Sequence, residues 1–372
     1  MMNKTTWQRV KLGEVAESIV SGGTPLTSKS EYYNGAIPWL NTKEVKNNRI
    51  YFTEKTITEF GLANSSAKWI EKDSVIVAMY GATAGKVAIN KIPLTTNQAC
   101  CNITLDANKA DYNFIYYTLL NSFEKLEQMT SGAAQQNLNV GLISNFSFSL
   151  PPLETQRKIA EILSSLDDKI DLLHRQNKTL ESLALTLFRH TFIDNPNRNA
   201  WQIGKLGDYV TPKKGKNITH KNAIKGIYPV IAGGLEPAYY HNQSNTQSPV
   251  ITISASGANA GFVNIHYCPV WSSDSSYIDS TITPYIYISY LFLKHNQNIL
   301  YDKQEGSAQP HIYPSHIMEL EMPHYPKELV ESFETQIQVY FNKISHNMKE
   351  IQNLESLRDI MLPKLLSGEM EV

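Results

Sequence analysis

Cysteine is scarce in this sequence. Cys100, Cys101 and Cys268 are the only three in 372 residues, two adjacent and one alone, which supplies neither a disulfide framework nor zinc-ligand spacing. Such usage suits a reducing compartment, and a cytoplasmic location is expected. Long apolar runs are missing too. The longest, YIYISYLFL (285–293), is about half the roughly 18 residues that a membrane crossing needs, so it reads as a buried helix. The opening MMNKTTWQRVKLGEV has no apolar signal-peptide core. Neither sign of charge is in excess: 34 Lys and Arg face 35 Asp and Glu, for a net charge of −1 and a pI near 6.8. That balance excludes a protein that coats nucleic acid indiscriminately, while leaving room for local basic loops and a partner that shares the affinity.

Catalytic signatures are equally sparse. GATAGK (81–86) follows an apolar run and resembles a phosphate cradle, but three residues separate its glycines and Val87 follows Lys86. A P-loop needs four intervening residues and a hydroxyl after the lysine. The stretch reads instead as a tight turn in which glycine supplies positive φ. HExxH and paired CxxC are absent, and the ten histidines lack ligand spacing, so no metal site is expected.

What is present is a repeat. WQRVKLGEV (7–15) returns as WQIGKLGDYV (201–210), and GAIPWL (35–40) as GIYPVI (226–231). GATAGKV (81–87) returns as GANAGFV (257–263), GAAQQNL (132–138) as GSAQPHI (306–312), and LESL (180–183) at 354–357. The order is kept, and the offset falls from 194 through 191 and 176 to 174, where it stays. The chain is a tandem duplication with its insertions confined to the first part of each half. The glycines of the opening loop persist in the second copy while Lys86 becomes Phe262, so the loop is scaffold first.

Each half begins with short alternating or apolar runs, such as SVIVAMY, KVAIN, VITIS and FVNIHY, bounded by turn residues. One helix is expected in each, near DYNFIYYTLLNSFEKL and TPYIYISYLFLKHNQ. The fold class is therefore α+β: two duplicated domains, 1–153 and 193–327, separated by long helices over 154–192 and from 328 into the 328–372 tail. The first helix follows Pro151 and Pro152 and shows a heptad seam of Ile159, Leu163, Leu166, Ile170, Leu173, Asn177, Leu180, Ala184 and Leu187. Shifting that register by 174 yields Phe333, Ile337, Tyr340, Ile344, Asn347, Ile351, Leu354, Arg358 and Met361, with Pro363 marking the end. A helix that leaves the first domain and another that returns from the second predict an antiparallel coiled coil between two heads. Asn177 and Asn347 are expected to meet across the seam and fix its register; the alternative is that one of them is simply solvated.

The phrases SGGTP…YYNGAIPWL, LPPLETQRKIAEILSSLDDKID and LPKLLSGE resemble the DNA-specificity subunit of type I restriction–modification systems, over essentially the whole chain. The second half departs from the pattern, with KKGKNIT for SGGTPLT and MPHYPKELVESF for LPPLETQRKIAE. The resemblance implies that each head is a target-recognition domain reading one half of a bipartite site in double-stranded DNA. It implies that the helices set the gap and dock two adenine-N6 methyltransferase subunits, and that motor–nuclease subunits join the full complex. S-adenosylmethionine, ATP and Mg2+ would belong to those partners. No [DNS]-P-P-[YFW] motif is present to hold a flipped base, which agrees with a non-catalytic chain.

Polar, basic loops supply the candidate DNA contacts. TPKKGKNITHKNAIK (211–225) carries Lys213, Lys214, Lys216, Lys221 and Lys225 without one acid, and Asn217 could read a base edge. In the first head Thr24, Thr27, Ser28, Lys29, Lys43, Lys46, Arg49 and Lys86 are comparable. Gln135 and Asn137, matched by Gln309 and His311, could bond adenine, although a phrase common to both heads is better suited to closing a turn. The bland reading of the lysine loop is an ordinary solvated surface. Two rival classes remain beside the specificity subunit: a solitary enzyme, which the missing motifs oppose, and a coiled-coil scaffold whose heads grip protein rather than DNA.

Overall fold

The computed structural model describes residues 7–122, 137–306 and 310–372. The chain forms two compact units, Met1–Ile170 with Asn353–Val372, and Asp171–Gln352.

The first unit opens with strands β1 (Gln8–Lys11), β2 (Ala16–Ser21), β3 (Tyr33–Leu40), β4 (Asn48–Ile50) and β5 (Lys55–Ile57). Strands β6 (Val75–Ala78), β7 (Val87–Asn90), β8 (Thr95–Thr96) and β9 (Cys100–Leu105) follow, then helix α1 (Tyr112–Leu120) and β10 (Ser147–Leu150). A five-stranded sheet has the order β2-β9-β6-β7-β4, a smaller one the order β5-β3-β8, and β1 pairs with β10. Period-two alternation decides which core each side chain joins. Val75, Val77, Val87, Ile89, Cys101 and Ile103 pack with α1, while Ile76, Ala78, Ala88 and Cys100 pack with Leu40, Val45 and Ile50 on the other face. Each of the valine, isoleucine and leucine side chains among them contributes roughly 1.5–3 kcal/mol by leaving water, the alanines less. Asp111 caps α1 by accepting from the Phe114 N–H at 3.0 Å.

Helix α2 (Leu153–Phe188) supplies residues to both units. The second unit continues with β11 (Ile203–Lys205), β12 (Lys213–Lys214), β13 (Tyr228–Ile231), β14 (Tyr239–His241) and β15 (Val250–Ser254). Then come β16 (Val263–His266), β17 (Trp271–Ser272), β18 (Ser275–Asp279), α3 (Ile286–His295), β19 (Glu321–Pro323) and α4 (Lys327–Leu366). Its sheets run β12-β18-β15-β16, β14-β13-β17 and β11-β19, the topology of the first unit without a counterpart of β4. The duplication in the sequence is thus a duplication of fold. Where β4 pairs with β7, the matching strand β16 is an edge. Its outward groups are covered by side chains: the Val263 N–H donates to Gln297 Oε1 at 2.9 Å, and Lys294 Nζ donates to the Val263 carbonyl at 3.1 Å.

The glycine phrase is a turn in both units. Gly81 and Gly85 have φ of 86° and 79°, Gly257 and Gly261 of 80° and 85°. The Gly85 N–H closes onto the Ala78 carbonyl and that of Gly261 onto the Ser254 carbonyl, both at 2.8 Å. A Cβ at Gly81 or Gly257 would meet no neighbour, so backbone conformation alone asks for glycine there.

In the first unit, Ile159, Ala160 and Leu163 of α2 share a core with Leu362 and Leu365 of α4. Asp167 ties that core to the domain by accepting from Tyr117 at 2.6 Å and from Arg358 Nη1 at 2.9 Å. Burial, reinforced by the charge of Asp167, holds the Tyr117 phenol protonated far above its ordinary range. In the second unit Ala184 and Phe188 pack among Phe333, Ile337, Phe341 and Ile344, and Tyr290 of α3 donates to Glu181. Asn177 meets Asn347, and Phe188 meets Phe333, so α4 runs antiparallel to α2.

The seam differs from the transferred register at several places. Phe341 is fully buried where Tyr340 was expected and is only half-buried; Leu362 and Leu365 are buried while Met361 is half-buried. The buried spacing in α4 begins with two steps of four, Phe333 to Ile337 to Phe341, whereas the seam read in α2 steps by four and then three. Leu166, Leu180, Leu187 and Leu354 are half-buried, and Ile170, Leu173 and Ile351 are buried. Pro363 does not end α4, which continues to Leu366. It lies in the last turn, so the break it makes in the hydrogen-bond ladder falls at the helix end.

Candidate nucleic-acid interface

The sequence candidates fall into three groups. Lys213, Lys214, Lys216, Lys221 and Lys225 are exposed, as is Asn217, and none of the five lysines forms an ion pair among the described residues. Their loop is built rather than loose. Lys213 and Lys214 pair with Tyr277 and Ser276. The Gly215 and Lys216 N–H groups donate to the carbonyls of Ser275 and Ser272 at 2.8 and 2.9 Å. With its backbone polar groups turned into the sheet, the segment has its charge left for solvent or a ligand. Five like charges over 13 residues create a strong local positive potential despite the neutral chain.

A second group is exposed but partly committed. Lys43 pairs with Glu54 at 2.5 Å and Lys29 with Glu31 at 3.7 Å. The bond to Glu54 raises the Lys43 pKa. Thr27, Ser28, Lys46 and Asn137 are exposed, Lys86 is half-buried, and Thr24 shares a hydrogen bond with Gln98.

The third group is structural. Arg49 on β4 has a side chain only 5% exposed and forms an ion pair with Asp168 of α2, while its Nη2 donates to the Ser164 carbonyl at 3.4 Å. It fastens the β4 edge to the helix and is withdrawn from the candidate DNA contacts. His311 exchanges backbone hydrogen bonds with Glu305 at 2.8 and 3.0 Å and stacks on Tyr313, so its backbone and ring are both committed within the unit. Gln135 and Gln309 lie outside the described residues.

Sequence reading missed the residues that hold these loops. In the first unit Trp39 Nε1 donates to the Gly23 carbonyl at 2.9 Å and the Tyr33 hydroxyl to the Pro25 carbonyl at 2.6 Å. In the second, Trp271 Nε1 donates to the Lys216 carbonyl at 2.7 Å and the Tyr239 hydroxyl to the Ile218 carbonyl at 2.5 Å. The same two jobs fall to residues on different strands, β3 against β17 and β14, so no aligned signal marks them.

Among the described residues, no His, Cys, Asp or Glu group of three or more is placed to hold a metal, and no helix is long and apolar enough to cross a membrane. Burial pushes the Cys101 thiol up to about 12 and raises that of Cys100 further, leaving both unreactive.

The family model for the type I restriction modification DNA specificity domain matches residues 4–182. Over 98% of this chain and 94% of the relative, the sequence is 28% identical to the type I restriction enzyme MjaIX specificity subunit of Methanocaldococcus jannaschii. It is 27% identical to the EcoR124I/EcoR124II specificity subunit of Escherichia coli over 42% of this chain and 40% of that one. The crystal structure of a type I restriction–modification S subunit from M. genitalium superposes with a TM-score of 0.60 at 19% identity, covering 98% of both chains, a likeness of fold. Residues 4–182 thus carry the type I restriction modification DNA specificity domain, and over nearly its whole length the chain is similar to the specificity subunits of type I restriction–modification systems.

Proposed function

We propose that each unit reads one half of an asymmetric, bipartite site in double-stranded DNA, and that α2 and α4 set the gap between the halves. The helices dock two methyltransferase subunits, and motor–nuclease subunits complete the restriction enzyme. S-adenosylmethionine, ATP and Mg2+ act in those partners. One observation carries the reading: a single sheet topology and glycine turn occur twice, while the loops above them diverge. The first unit presents SGGTPLTSK and the second TPKKGKNITHK on equivalent scaffold. Two copies kept alike in their cores and unlike on their surfaces suit two different half-sites, and base identity is read by surface side chains.

Binding of the purified chain to duplex DNA, with and without a methyltransferase subunit, tests this. The reading predicts salt-sensitive association that the partner strengthens. Heads that grip protein instead would leave the duplex unbound at every salt concentration.

A further inference from the structure

Resting on that reading, we propose that Asn217 reads an adenine of the half-site bound by the second unit, its carboxamide pairing with the N6 and N7 edge of that base in the major groove. The chain is held on both sides of it. The Lys216 N–H donates to the Ser272 carbonyl at 2.9 Å, and the Lys216 carbonyl accepts from Trp271 Nε1 at 2.7 Å. The Ile218 N–H donates to Ser273 Oγ at 3.1 Å, and the Ile218 carbonyl accepts from the Tyr239 hydroxyl at 2.5 Å. Both backbone groups of each neighbour are thus bonded to β14 or to the 271–273 segment. Asn217 stands between them, exposed, and its side chain has no hydrogen-bond partner among the described residues. A polar side chain fixed at its root and free at its tip is preorganised for a ligand, because little backbone order is left to lose on binding.

Charge and chemistry fix the ligand. The 211–225 segment has five lysines, one of them adjoining Asn217, with no acid and no ion pair among the described residues. Asp274, next in the chain after Ser273, has its carboxylate engaged by the Ser256 hydroxyl. A duplex answers that charge with phosphates and sets base edges between them. A carboxamide presents an acceptor and a donor side by side. Adenine is the base that offers the complement of both in the major groove, since N6 donates and N7 accepts. Guanine offers two acceptors there, cytosine a donor alone, and thymine an acceptor beside a methyl group.

The first unit holds the same stretch of backbone with a different side chain. There the Gly23 N–H donates to the Thr96 carbonyl at 2.8 Å, Trp39 Nε1 to the Gly23 carbonyl, and the Tyr33 hydroxyl to the Pro25 carbonyl. These match three of the four bonds around Asn217; the fourth is missing because Pro25 has no N–H to donate. Thr24 is therefore the counterpart of Asn217. It is half-buried, its hydroxyl is engaged with Gln98, and Gly23 stands before it instead of a lysine. A common backbone with an unlike side chain is an arrangement that lets duplicated units distinguish two half-sites.

The test uses the complex of this chain with its methyltransferase subunits and duplexes carrying the site that the complex methylates. Each adenine of the half-site read by the second unit, in either strand, is replaced in turn by 7-deazaadenine, which lacks the N7 acceptor and still pairs with thymine. At one adenine the exchange is expected to weaken wild-type binding about five-fold, the low end of what a bidentate pair is worth. Asn217→Ala is expected to weaken binding to the natural duplex about 5- to 150-fold and to abolish the difference between adenine and 7-deazaadenine at that position. Asn217→Asp, which only accepts, is expected to move the preference there from adenine toward cytosine. Wild-type indifference to every 7-deazaadenine, or full discrimination by Asn217→Ala, would overturn the proposal. Such indifference beside tight binding leaves the bipartite reading standing, whereas no duplex binding at all removes both. Loss of methyltransferase association by Asn217→Ala in the absence of DNA would make the loop a subunit contact and overturn the proposal as well.

Discussion

The side-chain amide of Asn347 donates to Asn177 Oδ1 at 2.8 Å, joining α4 to α2 inside the second unit. The same nitrogen donates to Gln176 Oε1 at 2.8 Å. Asn347 is fully buried, and its Oδ1, like Asn177 Nδ2, has no partner among the described residues. A half-satisfied polar layer in an apolar seam costs stability while specifying which layers meet. Replacing both asparagines with leucine is expected to raise stability by about 1–3 kcal/mol, read by urea unfolding. An unchanged or lower stability would show that the layer carries no such cost.

Arg49 gives a sharper choice. As a fastener, it should respond to Asp168→Asn with a loss of about 1–2 kcal/mol, because Asp168 is itself largely exposed and the pair partly screened. Arg49→Gln should leave the salt dependence of DNA binding unchanged. A slope shallower by about 0.9 would instead identify a phosphate contact.

Each lysine of the 213–225 loop is expected to do what Arg49 does not. Changing Lys213, Lys214 and Lys216 to glutamine should reduce the slope of log K against log salt by about 0.9 per residue that meets a phosphate. The melting temperature should hardly move, since these side chains are exposed and form no ion pairs among the described residues. An unaltered slope in the triple variant would mark the loop as ordinary solvated surface.

His266 introduces a pH dependence into the second unit. Burial lowers its pKa to about 4, and its Nε2 lies 2.9 Å from Thr252 Oγ1. Below the ordinary value near 6.5 the unfolded chain takes up a proton that the native imidazole refuses. The stabilisation is therefore complete above pH 6.5 and is lost as pH falls toward 4, amounting to about 2 kcal/mol between pH 7 and pH 5. The matching position of the first unit is Asn90, which is buried and bonds the Glu71 and Ile92 carbonyls at 2.8 and 3.0 Å. His266→Asn should flatten the acid limb of the stability profile; a limb of the same steepness would place its origin elsewhere.

If the helices are the ruler, one heptad inserted in each at matching layers lengthens the gap by seven residues, roughly 10.5 Å or about 3 base pairs. An active variant that methylates the original spacing would show that the gap is set by something other than helix length.

Much of the scaffold was legible because it depends on local rules. Positive-φ glycines and alternating apolar residues recur at both copies of a strand pair, so the repeat exposed the duplicated fold before any contact was known. Details that depend on tertiary position were not legible. Phe341 joins the core instead of Tyr340 because α4 winds its own spacing rather than the one transferred from α2. Arg49 looked like a phosphate ligand by charge and loop context, yet β4 carries it toward α2. Trp39 and Trp271 do one job from unrelated strands, which no alignment of the halves reveals.

The most direct test of the whole account is single-molecule mapping of adenine methylation in the host genome, with this gene intact and deleted. The account predicts that deletion removes one asymmetric, gapped N6-methyladenine motif, whose two halves are the targets of the two units. Identical methylation in both strains, with the gene expressed and its methyltransferase subunit present, would contradict it.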